Sequence, residues 1–297
     1  MRLSDGVFDR ARTFDLDLAV CGYETRSRYV ASVTGDASTE RIAIDYRSVD
    51  SPLYVENHRW YEDHGWQLHA ETSALRIIAE AAQAPVSIRV DISSMKRETM
   101  ARVVELTLGL PPGSVIQYVY SPAQFESSLK AASQSLALGA GPVSGFFSGA
   151  IRTPSTQVGL VAGLGLEEHR IMGVTELLEP AHTWAFVADS DDPRFAESVQ
   201  DLHRVLLSSD HTDLYHYDIH SLAEVYNSLE SLCFSAGQSY RIVLAPSGPK
   251  IFALACLLVA ARLSPIQPAV WRVGSLTPTS APDALPTGDV VSADIYY

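Results

Sequence analysis

Residues 86–110 read VSIRVDISSMKRETMARVVELTLGL. VSIRV is short and rich in β-branched residues, as a strand requires. The stretch from about 96 to 109 spaces its apolar residues three and four apart, as a helix requires. Between them stands DISSMK (91–96): an acid, two serines and a lysine where a strand hands over to a helix. After the turn PPGS, VIQYVYS (115–121) reads as another strand. Strand, helix, strand is the unit of a parallel sheet with right-handed crossovers.

The same alternation extends both ways. LDLAV (16–20) and RIAIDY (41–46) are predicted strands, and HAETSALRIIAEAAQ (69–83) is a predicted helix. LYVENHRWYEDHGW (53–66) is dense in aromatic residues and reads either as a lid or partner surface, or as a packed helix. Residues 122–155 carry GAGPVSG and RTPST and read as a connector. The pattern then restarts. QVGLVAG, WAFVAD, DLYHYDI, YRIVLAP and AVWRV are predicted strands separated by helices. The tail is rich in turn residues and ends in a short predicted edge strand.

The restart carries matching junctions. GYETR (22–26) corresponds to GLEEHR (165–170), and DISSMK to APSGPK (245–250), placing Ser93 over Ser247 and Lys96 over Lys250. We therefore expect an α/β chain of two tandem Rossmann-like halves with mostly parallel sheets, related by internal duplication. The expected division is 1–130, a connector 131–156, and 157–297.

Composition narrows the chemistry. Asp and Glu outnumber Lys and Arg by 35 to 22, a net charge of −13, which argues against a duplex nucleic acid or an anionic membrane as partner. A small anion held by a few local cations remains compatible. The three cysteines form no CxxC and fit buried thiols in a reducing cytoplasm. The longest apolar run, IFALACLLVAA (251–261), is too short to span a bilayer. No HExxH, GxSxG or GxxxxGK[ST] is present, and no metal or cofactor is expected.

In open parallel sheets, ligands bind beyond the carboxyl ends of the strands, where helix N-termini favour anions. Ser93, Ser94 and Lys96 stand at one such end, and Ser247, Gly248 and Lys250 at another. Gly248 suits a tight turn that brings backbone N–H groups to a phosphate. Gly22, Tyr23, Glu24 and Arg26 follow the first strand: Gly22 for a tight exit, Tyr23 to stack on a base, Arg26 for phosphate, Glu24 for a ribose hydroxyl or as a general base. Asp91 is the other candidate base. Each junction also has an ordinary reading, since Ser, Asp and Gly cap helices and Glu24 with Arg26 makes a surface pair. Glu167, Arg170 and Asp45 are weaker candidates, and ADSDDPR (188–194) reads more readily as a helix cap than as a metal site.

DISSMKRETMA resembles the Asp-hydroxyl-small-small-Lys loop of CRISPR-associated Rossmann-fold (CARF) sensors, and APSGPKIFALACLL resembles a degenerate second copy. Two fused units of this kind also resemble the SAVED sensor domains of antiphage systems. The first loop departs from the pattern where a Gly-Gly pair becomes Ser94-Met95, and the second where the acid becomes Ala245. The resemblance implies a nucleotide-derived ligand, such as a cyclic oligonucleotide, in a groove between the halves. It implies a separate effector protein in a prokaryotic defence system. Two other readings stand beside it: a metal-independent phosphodiesterase or other nucleotide-processing enzyme using the same loops, and an adaptor subunit.

Overall fold

The computed structural model describes residues 2–35, 38–47, 51–125, 138–263, 266–275 and 283–297. The chain forms two compact units. One comprises residues up to 124 together with 283–297, and the other residues 125–282.

The first unit holds a seven-stranded sheet. Its strands are β1 (Arg2–Gly6), β2 (Leu16–Cys21), β3 (Glu40–Asp45), β4 (Gln67–His69), β5 (Ser87–Asp91), β6 (Val115–Tyr120) and, from the chain's end, β13 (Val291–Tyr296). They lie in the order β1-β13-β6-β5-β2-β3-β4. The five from β6 to β4 are parallel, and β13 runs antiparallel to both β6 and β1. The helices are α1 (Tyr29–Val33), α2 (Pro52–Asp63), α3 (Glu71–Ala81) and α4 (Arg97–Thr107). All six residues of β2 are buried, as a central strand covered on both faces must be. Ser51 caps α2 through its hydroxyl, with Pro52 at the first helical position.

The second unit repeats the plan. Its strands are β7 (Leu138–Pro142), β8 (Val158–Gly163), β9 (His182–Asp189), β10 (Thr212–Asp218), β11 (Arg241–Pro246) and β12 (Ala269–Ser275), in the order β10-β9-β8-β11-β12-β7. Only β7 is antiparallel to its neighbour. Its helices are α5 (Glu168–Leu178), α6 (Arg194–Leu202), α7 (Arg204–Leu207), α8 (Leu222–Ala236) and α9 (Lys250–Arg262). Numbered within each unit, both parallel cores run 3-2-1-4-5, the Rossmann order.

The unit boundaries differ from the expected ones. The C-terminal strand does not end the second half as an edge. It enters the first sheet next to its edge strand, between β1 and β6, with Val291–Ile295 buried. The expected connector supplies β7, an edge strand of the second sheet. Local pattern cannot reveal such returns, because the partner strand lies 171 or more residues away for β13 with β6 and 129 or more for β7 with β12. The short or polar strands β4 (QLH) and β1 (RLSDG) also escaped the sequence reading.

Removal of residues 283–297 strips β13 from between β6 and β1 and takes Asp283 from the Thr25 amide and hydroxyl. We expect limited proteolysis of such a truncation to digest the first unit while the second survives. Equal resistance in both units would contradict the pairing.

Candidate functional site

In a 3-2-1-4-5 sheet, the crossovers leaving strands 1 and 4 turn to opposite faces, opening a crevice at their carboxyl ends. In the first unit these are the ends of β2 and β5, followed by Gly22–Arg26 and Ile92–Lys96.

The first loop is tied down by buried side chains. Ser27 accepts from the Gly22 amide (2.9 Å) and donates to the Val20 carbonyl (2.6 Å). Asn57 of α2 donates to the carbonyls of Gly22 (3.0 Å) and Glu24 (2.9 Å). Tyr61 donates to the Ser27 carbonyl (2.7 Å). Arg26 Nε donates to Glu24 Oε2 (2.7 Å), and Ser94 Oγ donates to the same oxygen (3.1 Å), so the two loops meet through Glu24.

The second loop hangs from Asp91. Its Oδ1 accepts from the Ser93 amide (2.9 Å) and hydroxyl (2.6 Å), and Ser93 Oγ accepts from the Ser121 amide (2.8 Å). Ser93 is fully buried, so it is a structural pin and not the ligand contact expected. Lys96 is exposed at the start of α4. Its amide donates to Tyr46 Oη (2.8 Å), and its ammonium lies 4.1 Å from the centre of the Tyr46 ring. Tyr46 donates onward to Thr99 (3.1 Å), and Thr99 to Glu71 (3.1 Å). Sequence reading passed over Tyr46. Its one signal was its place just past the end of the strand neighbouring β2.

Behind these loops runs a row of alternating charge: Asp17, Arg89, Asp91, Arg26, Glu24. Arg89 is bidentate on Asp17, with both bonds at 2.9 Å. Burial pushes the Asp91 carboxyl up to about 6, against the pull of its two bonds from Ser93 and of Arg26 and Arg89 nearby. Arg26 is also buried. Desolvation works against its charge, but Glu24 and Tyr120 outweigh it and hold it well above its ordinary value. Burial raises the Tyr46 hydroxyl to about 12.

The raised value of Asp91 sets a sign. The native state holds this proton more tightly than the unfolded chain does. Its contribution therefore favours folding below about pH 4 and is lost as pH rises through about 6. The shift of about two units corresponds to about 3 kcal/mol. Asp91→Asn should shrink the difference in unfolding free energy between pH 5 and pH 8 by about 1 kcal/mol, because at pH 5 only about half of the shift is expressed. Denaturant titration at both values checks this, and an unchanged difference would overturn it.

The second unit closes the equivalent crevice. The amides of Ser247 (2.9 Å) and Gly248 (3.1 Å) both donate to the Gly163 carbonyl, so neither is available to a phosphate as expected. A β-carbon on Gly248 would collide with the Leu164 carbonyl oxygen, and one on Gly165 would sit 3.0 Å from the Ser247 carbonyl oxygen. The buried ring of Phe252 fills the space over Gly163. Lys250 opens α9, and Glu167 pairs with Arg170. The prediction here is that Gly163→Ala drives its methyl group into Phe252 and destabilises the protein by about 1–3 kcal/mol in chemical denaturation.

Other candidates resolve into packing. Tyr23, half-buried, lies against the cluster of Tyr54, Tyr61 and Trp66, which makes 53–66 a packed helix and its exit. Gly22 is buried. Asp45 accepts from Tyr54 Oη (2.7 Å) and the Arg47 amide (2.8 Å). In ADSDDPR, Asp189 pairs with His216, Asp191 with His220 and Asp192 with Arg194. Among the described residues, no group of three or more His, Cys, Asp or Glu is placed to hold a metal ion. Also among them, no helix is long and apolar enough to cross a membrane.

No family model matches the chain, and no curated protein does. Among solved structures, a universal stress protein from Archaeoglobus fulgidus aligns over 87% of this chain and 94% of its own. The identity is 8% and the TM-score 0.26, a likeness too slight to bear on the site.

Proposed function

We propose that the crevice at the carboxyl ends of β2 and β5 binds a small nucleotide-derived anion, with Lys96 as its countercharge. The observation carrying this reading is the exposed Lys96 ammonium held over Tyr46 at the point where the strand order reverses. Ser94, on the loop of Lys96, and Glu24, on the facing loop, stand together to meet hydroxyl or amine groups of the ligand. The 11-residue helix α4 begins beside Lys96, so the positive end of its dipole lies at the same crevice. The resemblance of DISSMK to the CARF loop points to cyclic oligonucleotides as the ligand class, and to a cytoplasmic sensor acting on a separate effector in prokaryotic defence.

Binding is favoured over hydrolysis. Asp91 is buried and spends Oδ1 on Ser93, while Glu24 is held by Arg26 and Ser94. Neither is posed as a base at the crevice mouth. The closed second junction narrows the ligand contacts to the first unit and leaves Ser247, Gly248 and Lys250 out.

Calorimetric titration against nucleotides and linear and cyclic ribo-oligonucleotides tests the reading. Lys96→Ala should weaken binding by about tenfold or more, the loss of roughly 1.4 kcal/mol from one charge-assisted contact. Lys250→Ala should leave binding unchanged. Equal losses in the two variants, or no binding to any member of the panel, would reject it.

A further inference from the structure

Helix α1 has only five residues, too few to cover the face of β2 and β5 beneath it. A small cavity remains between sheet and helix, lined by Asp17, Ala19, Ala31, Thr34, Arg89 and Asp91 among others. Its volume, ≈ 10 Å³ measured at water centres, is that of a single water.

The wall is polar in a specific way. Arg89 is 3% exposed. Its Nε and Nη2 are spent on Asp17, and Nη2 also reaches Ser38 (3.3 Å). Its Nη1 is buried and meets no acceptor among the described residues. Asp91, two residues along β5, uses Oδ1 for Ser93 and makes no direct bond to Arg89. A buried guanidinium N–H without an acceptor has lost its water and gained nothing in return, and so calls for a partner. An anion in the cavity would face Asp17 and Asp91, and a cation would face Arg89. A neutral molecule that both accepts and donates satisfies both walls.

We propose that this cavity is a hydration site: one water accepts from Arg89 Nη1 and donates to the Asp91 carboxylate. The water closes the gap in the charge row. It makes Asp91 a positioning residue, because the same carboxylate pins Ser93 and thereby the turn carrying Ser94 and Lys96. The charged and titratable groups around Asp91 are Arg89 on its own strand, Arg26 on the turn before α1, and Tyr61 on α2. Asp17 on β2 acts through Arg89.

A crystal structure of the full chain that resolves ordered waters tests it. The expected result is a density peak within about 3.2 Å of both Arg89 Nη1 and an Asp91 carboxylate oxygen. A dry cavity, or Nη1 turned onto a protein acceptor, overturns the proposal. Asp17→Asn combined with Arg89→Met removes the donor without leaving a lone buried charge. In that variant the Asp91 titration midpoint, read by carboxyl carbon NMR, should rise. Amide-exchange protection at Ser93 and Ser121 should fall several-fold. If both readouts match the wild type, the coupling of the site to the turn is refuted. Should the double variant fail to fold, Arg89→Lys keeps the pair with Asp17 and removes the Nη1 donor. It should lower the same protection, and unchanged protection refutes the coupling.

Discussion

The bidentate bond between Asp17 and Arg89 conditions much of the first unit. Removing a carboxylate and a guanidinium from water costs several kcal/mol each unless both find partners. These two sit opposite one another on adjacent parallel strands. Arg89 also stacks 4.7 Å from the Phe14 ring. A one-residue slip of β5 against β2 would part them and set each charge against apolar neighbours, so the pair specifies strand register more than it adds stability. From it the alternating charges lead outward, through Asp91 and Arg26 to Glu24. Each member lowers the cost of burying the next. The loops at the crevice are the visible end of a row anchored inside the sheet.

The two units show how one topology serves opposite ends. Both reverse strand order at the same place, and both put a serine and a lysine there. In the first, polar side chains tie the two loops together through Glu24 and leave Lys96 in solvent. In the second, glycines at 163, 165 and 248 let the backbones close on each other, and Phe252 seals the contact. Helix α9 is apolar on all sides and has ten of its 13 residues buried, so it binds its junction into the core. Glycine, read in the sequence as room for a phosphate, is here room for another piece of the same chain.

Much of the fold was legible because its signals are local. Runs such as LDLAV and YRIVLA and the helical spacing of 96–109 report their own conformation. The crevice was legible too, since a parallel sheet puts its βα loops at one edge. The candidate side chains divided on a matter that no local pattern carries, namely which polar groups satisfy one another. Ser93 turned inward to Asp91, Tyr23 joined the aromatic cluster, and Arg26 was claimed by Glu24. Tyr46, just past the end of β3 and 50 residues before Lys96, came to underlie it.

By itself the sequence determined the α/β class, the repeat of strand and helix, and the positions of the junctions, because hydropathic period and turn chemistry act over a few residues. Only the tertiary structure decided that the last strand belongs to the first sheet, that one junction leaves its lysine exposed while glycines and Phe252 close the other, and that β5 is buried on its polar face. These outcomes depend on long-range pairing. A strand's partner, a glycine's neighbour and a buried charge's counterion are chosen by packing across the sheet, where sequence distance has no bearing.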